Sequence, residues 1–344
     1  MNIDFLDKKE QIALYLEDMY SRFGYSKYRM NKFEQYSFYM ENEKFLDDNN
    51  VITFGAPNGK LLALKPDITM SIVKNCCKST LDNHKVYYNE SVFRIPKGDS
   101  DFKEIQQIGV EYIGQIDTYQ TLEVLNLVAK SLAKFSDNYM LCLSNMALIL
   151  NIFDDLGLSI TQRNTIIAYM KQKNIHDLQK YIKDEKIIEA SVLIKLLTVS
   201  RNVGKGLCEL SEIFAHSKYE KQVNQMSEIF KHLDSFIDSS KVQLDFSYIT
   251  GTEYYNDLIF VGYLDGLAVP ALTGGRYDKL VAKMGMTDKS ALGFAVNLSA
   301  VDKLLHSSDI KLKSVKYCEE TNAGELIKKA NELYAKGESF CITK

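Results

Sequence analysis

Three short stretches of the chain carry carboxylate, amide and hydroxyl groups at spacings that suit the binding of a small polar ligand. In the stretch from Ile105 to Gly114, the residues Gln107, Gly109 and Glu111 alternate with apolar residues. Successive side chains of a strand point to opposite faces, so these three residues share one face. A glycine between two polar residues leaves room for a ligand on the sheet. The alternative is a solvated sheet face with a bulge at the glycine.

The second stretch is Lys65-Pro66-Asp67-Ile68-Thr69. Proline fixes a turn, and Asp67 and Thr69 then offer a carboxylate and a hydroxyl within one turn of a helix start. Plain capping of that helix is the alternative reading.

The third stretch has two parts, Thr250–Tyr255 and Thr273–Asp278, which read TGTEYY and TGGRYD. Tyr255 and Tyr277 could each offer a hydroxyl to a ligand. The alternative for each tyrosine is packing in an aromatic core.

The elements around these stretches mix helix and strand. Asp7 and Glu10 form a capping box at the start of a first helix, and a second helix is expected from about Tyr119 to Phe135. Strands return after residue 241, and we expect a turn at Gly274–Gly275. A further helix is expected to start at Ser299. The pattern predicts an α+β fold, in which residues 1–158 and 241–308 form the core and residues 159–240 form a helical insertion. Residues 309–344 are expected to form a short β-α-β segment.

The composition is that of a globular chain of 344 residues, with 46% hydrophobic residues and 25% charged residues. The net charge of −3 gives no excess of positive charge that would mark a nucleic-acid binder. The six cysteines form no CxxC pair, and no histidine completes a zinc-like spacing, so we expect free thiols and no metal. No secretory or membrane-spanning segment is recognisable. We therefore expect a cytoplasmic protein.

Taken in order, KPDIT, FR…QQIGVE, TGTEYY, GGRYD and GFAVNL resemble the catalytic domain of histidyl-tRNA synthetase and its paralogues, over about residues 8–305. The resemblance implies a class II synthetase-like antiparallel sheet flanked by helices. It also implies a pocket for free histidine, in which Asp67, Thr69 and Gln107 hold the α-amino end. Glu111 and Tyr255 would hold the imidazole and Tyr277 would line the pocket, while Arg94 would hold the carboxylate or, in a synthetase, an ATP phosphate. Carboxylates suit an ammonium and a ring N–H because charge-assisted hydrogen bonds are the strong ones.

The departures from the synthetase pattern affect ATP and tRNA. Ala300 stands where the motif 3 arginine is expected, and Asn297 stands where a glycine gives ATP room. Thr250 replaces the arginine that opens the first histidine signature. The motif 2 loop, residues 96–104, has more acidic residues than lysines, and the glutamate after Arg94 is absent. A synthetase needs positive groups to stabilise the charge that develops on the α-phosphate. We also expect no full anticodon-binding domain.

A kept histidine pocket without this apparatus resembles the regulatory subunits that accompany short-form ATP phosphoribosyltransferase. The resemblance implies a non-catalytic chain that senses histidine, has no cofactor and binds the catalytic subunit. A self-dimer within a hetero-octamer would follow, and no tRNA and no membrane would be partners. The motif 1 proline, however, is replaced by Asn31. Two alternatives remain open: a divergent histidyl-tRNA synthetase or histidine-activating enzyme, and a scaffold that activates the transferase but has an idle pocket.

Overall fold

The computed structural model describes residues 6–46, 51–95, 100–305, 313–316, 327, 331–333, 335–336 and 340–343. In these ranges the strands are, in chain order, β1 (Ser26–Lys27), β2 (Phe33–Gln35), β3 (Thr53–Gly55), β4 (Leu61–Leu64), β5 (His84–Arg94), β6 (Lys103–Gly114), β7 (Tyr139–Asn145), β8 (Val242–Leu244), β9 (Leu258–Leu264), β10 (Leu272–Arg276), β11 (Ser290–Asn297), β12 (Lys313–Lys316) and β13 (Phe340–Thr343). The α-helices are α1 (Lys8–Arg22), α2 (Tyr36–Glu41), α3 (Thr69–Cys76), α4 (Thr118–Phe135), α5 (Met146–Asp155), α6 (Ile160–Lys171), α7 (Ile175–Asp184), α8 (Ser191–Thr198), α9 (Val203–Ile213), α10 (Glu220–Phe230), α11 (Asp278–Lys283) and α12 (Leu298–Val301). Short 3₁₀ helices span Glu43–Phe45, Ile188–Ala190, Leu233–Ser235, Ser239–Lys241 and Asp302–Leu304.

One large sheet organises the fold, with the strand order β1-β5-β6-β11-β10-β9-β7-β8. The run from β5 to β7 is antiparallel throughout, whereas β1 and β8 join the two edges in parallel. A small sheet, β2-β4-β3, lies apart from it in the hydrogen-bond pattern. The predicted α+β sheet with flanking helices is therefore present.

Helix starts follow the local sequence. The capping box predicted at Asp7 is formed, since its side chain accepts from the Glu10 amide and the Glu10 side chain accepts from the Asp7 amide. Ser159 caps α6 in the same way. The helix expected from about Tyr119 is α4, which begins one residue earlier after the cap Asp117.

One predicted turn is wrong, and one predicted helix begins one residue earlier than expected. Gly274 and Gly275 do not form a turn but lie inside β10, paired with both β9 and β11. Both positions require glycine, because a Cβ at Gly274 would lie 2.4 Å from the Gly293 carbonyl oxygen and one at Gly275 would lie 2.7 Å from the Leu258 carbonyl oxygen. The helix expected at Ser299 is α12, which begins one residue earlier, at Leu298, because the Asn297 side chain accepts from the Ala300 amide.

Both faces of the large sheet are buried. A first apolar cluster contains Ile108 and Val110 of β6, together with Leu16 of α1 and Val128 of α4. The same cluster continues into the helices after residue 159, through buried residues such as Ile166, Leu193 and Leu210. The residue limits of the helical insertion remain a prediction.

A second apolar cluster covers the opposite face of the sheet. It contains Ile105 and Ile113 of β6, Ile72 of α3, Leu280 of α11 and Tyr39 of α2. Because strand side chains alternate, this is the face that carries Gln107, Gly109 and Glu111. The solvated-face alternative for this strand is therefore wrong: α2, α3, α11 and the small sheet cover it.

The segment after residue 308 is described only in part. Strands β12 and β13 pair in parallel, which requires a crossover between them. Residues 331–333 within that crossover are helical. The rest of the predicted β-α-β segment lies outside the described residues, and so do residues 96–99 of the motif 2 loop.

Candidate functional site

The centre of the site is Glu111, a carboxyl group that is 2% exposed. The Thr69 hydroxyl donates to its Oε1 at 2.7 Å, and the Tyr277 hydroxyl donates to its Oε2 at 2.5 Å. Thr69 begins α3, Glu111 lies in β6 and Tyr277 follows β10. Along the sequence, Thr69 is 42 positions and Tyr277 is 166 positions from Glu111. Sequence reasoning assigned all three to one pocket, and the structure brings them together.

Glycines make room for this carboxyl group. Gly293 of β11 is the Cα partner of Glu111. A Cβ at Gly293 would lie 1.7 Å from the Glu111 Oε2 and 2.5 Å from the Val110 carbonyl oxygen. Real Cβ atoms do not make contacts that short, so any other residue at this position would displace the carboxyl group. The Glu111 side chain therefore lies over the neighbouring strand, in a space that only glycine leaves open.

Gly109 has a different role from the one expected. A Cβ there would lie 2.0 Å from the Phe294 carbonyl oxygen and 2.8 Å from the Tyr88 hydroxyl oxygen. The space over Gly109 is thus taken by Tyr88, which is 1% exposed and comes from the neighbouring strand β5. Tyr88 was not singled out from the sequence. The strand register could have found it, because Tyr88 and Gly109 are direct cross-strand partners.

The segment before α3 positions a second carboxylate. The Asp67 Oδ1 accepts from the Met70 amide at 2.7 Å, so the capping alternative for Asp67 holds. Capping does not exclude a second role, because a carboxylate has about four acceptor sites. The charge of Asp67 also acts on Glu111, Tyr88 and Tyr254, so this group faces the same space.

Aromatic rings close the site. The Tyr254 ring lies 4.9 Å from that of Tyr255 and 5.4 Å from that of Tyr277, and Phe45 packs on it at 6.4 Å. Tyr255 touches both apolar clusters. Tyr255 and Tyr277 therefore pack in an apolar core, as the alternative interpretation had it. Tyr277 also donates a hydrogen bond to Glu111. Tyr254 is a further site residue that sequence reasoning missed, because a tyrosine pair does not reveal which ring faces inward.

Burial dominates the electrostatics. It raises the pKa of Glu111 from 4.5 to about 8, against the hydrogen bonds from Tyr277 and Thr69, which lower it. Asp67 adds to the rise. Burial likewise raises the pKa of Tyr277 and of Tyr254 well above the usual value, so both hydroxyls stay protonated donors.

Gln107 and Arg94 lie progressively farther from Glu111. Gln107 is four residues away along β6, about 13 Å between Cα atoms at roughly 3.3 Å per residue. Arg94 pairs with Lys103, eight residues from Glu111, which is about 26 Å along the strand. Glu111 and Arg94 therefore cannot hold the same small group. The order along the sheet is carboxyl group, amide, guanidinium.

At the end of β11 the departures from the synthetase pattern are built into the fold. The Asn297 Oδ1 accepts from the Ala300 amide at 3.0 Å, and Ala300 is 8% exposed. The Ser299 hydroxyl accepts from the Gln106 amide at 2.9 Å. The first contact caps α12 at the end of β11, and the second joins α12 to β6. The residues at the positions where a synthetase has glycine and arginine therefore bond to each other here.

Neither metal nor membrane chemistry is indicated in the described part of the chain. It contains no group of three or more His, Cys, Asp or Glu side chains that could hold a metal ion. Among its helices, none combines the length and apolar character needed to cross a bilayer.

Comparison with known proteins places this geometry in a family. The family model for histidyl-tRNA synthetase matches residues 4–301. The chain belongs to the histidyl-tRNA synthetase family. That match includes every candidate site residue and confirms the resemblance expected from the ordered motifs.

Two named relatives are similar to this chain along most of their length. A protein of Clostridium novyi named ATP phosphoribosyltransferase regulatory subunit is 27% identical over 350 aligned positions, covering 96% of this chain and 82% of the relative. A protein of the same name from Bacillus cereus is 24% identical over 302 positions, covering 86% and 72%.

Solved structures show the same fold. An ATP phosphoribosyltransferase regulatory subunit/histidyl-tRNA synthetase from Bacillus halodurans superposes with a TM-score of 0.84 at 22% identity, covering 97% of this chain and 88% of that chain. A histidyl-tRNA synthetase from Nostoc gives 0.79 at 15% identity, with 100% and 85% covered. The ATP phosphoribosyl transferase (HisG:HisZ) complex from Thermotoga maritima gives 0.65 at 16% identity, with 85% and 97% covered. The class II synthetase-like fold is thereby confirmed.

Proposed function

We propose that this member of the histidyl-tRNA synthetase family is the non-catalytic regulatory subunit of ATP phosphoribosyltransferase. It would control the first step of histidine biosynthesis, in which ATP and phosphoribosyl pyrophosphate give phosphoribosyl-ATP. The phosphoryl and ribosyl chemistry would belong to a short-form catalytic subunit. The two relatives named as such regulatory subunits support this role.

One observation carries the proposal, and it lies along strand β11. At Gly293 the strand leaves space for the buried Glu111, whereas at its end Asn297 is used to cap the amide of Ala300. Under this proposal the groups for an amino acid are kept, and internal contacts stand where groups for a nucleotide would be needed. An adenylate-forming enzyme would need a positive group where Ala300 stands.

The ligand of the kept pocket is proposed to be free histidine. Asp67, Thr69 and Gln107 would bind its α-amino end, Glu111 and Tyr255 its imidazole, and Tyr277 would line the pocket. The resemblance assigned the carboxylate end to Arg94, but about 26 Å along the strand from Glu111 is farther than one histidine spans, so Arg94 is left out of the proposed site. The order of Glu111 and Gln107 along the sheet supports this orientation, because the imidazole and the α-amino group lie at opposite ends of the ligand.

Histidine would act by changing the orientation of this subunit relative to the catalytic subunit. A useful coupling free energy between the two sites would be about 1–3 kcal/mol. Because coupling is reciprocal, the catalytic subunit would change histidine affinity by the same factor. The assembly is proposed to be cytoplasmic, with a self-dimer of this chain inside a hetero-octamer and with no tRNA bound.

The direct test mixes this chain with a short-form catalytic subunit from the same source and follows phosphoribosyl-ATP formation with and without histidine. We expect the mixture to be faster than the catalytic subunit alone, and histidine to alter its rate. The variant Glu111→Gln should keep the activation and lose much of the response to histidine. Activation with no response to histidine would instead favour a scaffold with an idle pocket.

The enzymatic alternative has its own assay. A histidine-activating enzyme would exchange labelled pyrophosphate into ATP in the presence of histidine. We expect no exchange above background, because Ala300 and Thr250 supply no positive charge to the reacting phosphate. Histidine-dependent exchange by the purified chain would overturn the regulatory proposal.

A further inference from the structure

Glu111 is a buried carboxyl group that is held only by neutral partners. Its two oxygens accept from the hydroxyls of Thr69 and Tyr277, and within the described residues it makes no ion pair. Arg276, which directly precedes Tyr277, is engaged elsewhere, with Asp278 at 2.8 Å and Asp257 at 3.6 Å. A carboxylate buried in this way would lack the compensation that buried charges normally have.

In the part of the chain that the structure describes, the ionisable groups that interact with Glu111 are all acids. Asp67 precedes α3 and Cys76 ends it, Tyr88 comes from β5, and Tyr254 and Tyr277 come from the two tyrosine signatures. From the opposite side of the sheet Tyr25 is the group within electrostatic reach. None of these groups can supply a positive charge, and the negative charge of Asp67 opposes a second one beside it.

We infer that the Glu111 carboxyl group carries a proton in the ligand-free protein and transfers it to the imidazole of histidine when the ligand binds. The inference rests on the proposed function, since it takes histidine as the ligand. The raised pKa of Glu111, about 8, agrees with it. The proton leaves the carboxyl oxygen for the unprotonated ring nitrogen. The bound pair is then a carboxylate and an imidazolium, with the same number of protons as before.

This transfer has a physical advantage over a carboxylate that is ionised from the start. The empty site carries no unpaired buried charge, and charge appears only when both members of the ion pair are present. The new pair is a charge-assisted hydrogen bond inside the protein, which is the strong kind. A neutral ligand of similar size without a basic nitrogen could not take the proton, so the site would select for a basic ring.

The first experiment observes the proton itself in the empty, full-length protein. Infrared spectroscopy detects the carbonyl stretch of a protonated carboxyl group, and Glu111→Gln identifies the band of Glu111 by its loss. We expect this band at pH 6–7 and its disappearance as the pH passes through about 8. Glu104→Gln, an exposed change on the same strand, should leave the band intact. Absence of any Glu111 band at pH 6 would overturn the inference, whether or not histidine binds.

The second experiment adds histidine at pH 7 and counts protons by calorimetry in buffers of different ionisation enthalpy. A free imidazole of pKa about 6.5 is roughly one-quarter protonated at this pH. A proton supplied by Glu111 therefore predicts an exchange with buffer of less than about 0.3 proton per ligand, with simultaneous loss of the infrared band. An ionised carboxylate that received an imidazolium would instead take up about 0.8 proton from the buffer.

The outcomes separate the inference from the proposed function. If histidine does not bind but the Glu111 band is present, histidine sensing fails, and with it the transfer to histidine, while the protonated carboxyl group stands. If histidine binds and the band persists, or about 0.8 proton is taken up, the transfer is refuted and histidine sensing stands. Alanine is the negative control, because it lacks the ring that would accept the proton.

Discussion

Replacing Glu111 by glutamine should change how the stability of this protein depends on pH. In the folded state burial raises the pKa of Glu111 from 4.5 to about 8. A carboxyl group whose pKa is higher in the folded state than in the unfolded state stabilises the folded state fully only at pH values below its pKa in the unfolded state. That contribution is lost as the pH rises towards the folded pKa, because the unfolded chain releases the proton more readily. Glutamine stays neutral throughout and makes no such contribution.

The size of the effect follows from the folded and unfolded pKa values of Glu111. They differ by about 3.5, which corresponds to about 5 kcal/mol in total, since a pKa difference of one is worth about 1.36 kcal/mol. Between pH 5.5 and pH 8, the free energy of unfolding of the wild type should fall relative to Glu111→Gln by up to about 3 kcal/mol. An effect of this size is a large fraction of the net stability of a typical protein.

Urea unfolding followed by circular dichroism at pH 5.5, 7 and 8 measures this difference. Both proteins should show the same dependence on urea concentration, so that the midpoints report stability alone. Glu104→Gln, at an exposed position of the same strand, should follow the wild type at each pH. A difference between wild type and Glu111→Gln that stays constant within about 0.5 kcal/mol over this range would refute the assignment of a raised pKa to Glu111, because the expected change is about six times larger.

Three further substitutions test the geometry of the site. Gly293→Ala places a Cβ 1.7 Å from the Glu111 Oε2. We expect its free energy of unfolding in urea to fall by about 1–3 kcal/mol and its histidine binding to be lost in calorimetry. Gly55→Ala is the matched control, because a Cβ there meets nothing within 4 Å. Tyr277→Phe leaves one oxygen of Glu111 without its hydrogen-bond donor. It should weaken histidine binding in the same calorimetric assay and lower the free energy of unfolding by about 1–3 kcal/mol. Unchanged values would contradict the role of the Tyr277 hydroxyl. Asn297→Ala removes the cap of α12 and should cost about 1 kcal/mol in urea unfolding. Histidine affinity should stay unchanged, because the cap lies at the end of β11, away from the pairing of Gly293 with Glu111.

Local sequence determined the elements that carry the site. The capping boxes at Asp7 and Ser159 fixed two helix starts, since the side chains involved are only three residues apart. The alternation of Gln107, Gly109 and Glu111 with apolar residues fixed the strand and the face on which these groups lie. The order of the five motifs identified the family. The residues Asn297 and Ala300 gave the expectation that this chain does not handle ATP as a synthetase does.

Other features depended on residues that are distant in the sequence. The helices α2, α3 and α11 cover the face of the sheet that carries Glu111, and this packing is what buries that face. Gly274 and Gly275 resemble a turn when read alone, but the neighbouring strands require them inside β10, because a Cβ would strike backbone atoms there. Such contacts leave no local signal.

What the sequence determined by itself was therefore the list of groups, their strand and helix positions and the family. The tertiary structure decided which groups meet. Thr69, Glu111 and Tyr277 are brought together by strand register and by the glycine opposite the carboxyl group. It also raises the pKa of Glu111, because the pKa of a carboxyl group depends on the burial and the partners that packing provides, and neither is encoded within one segment.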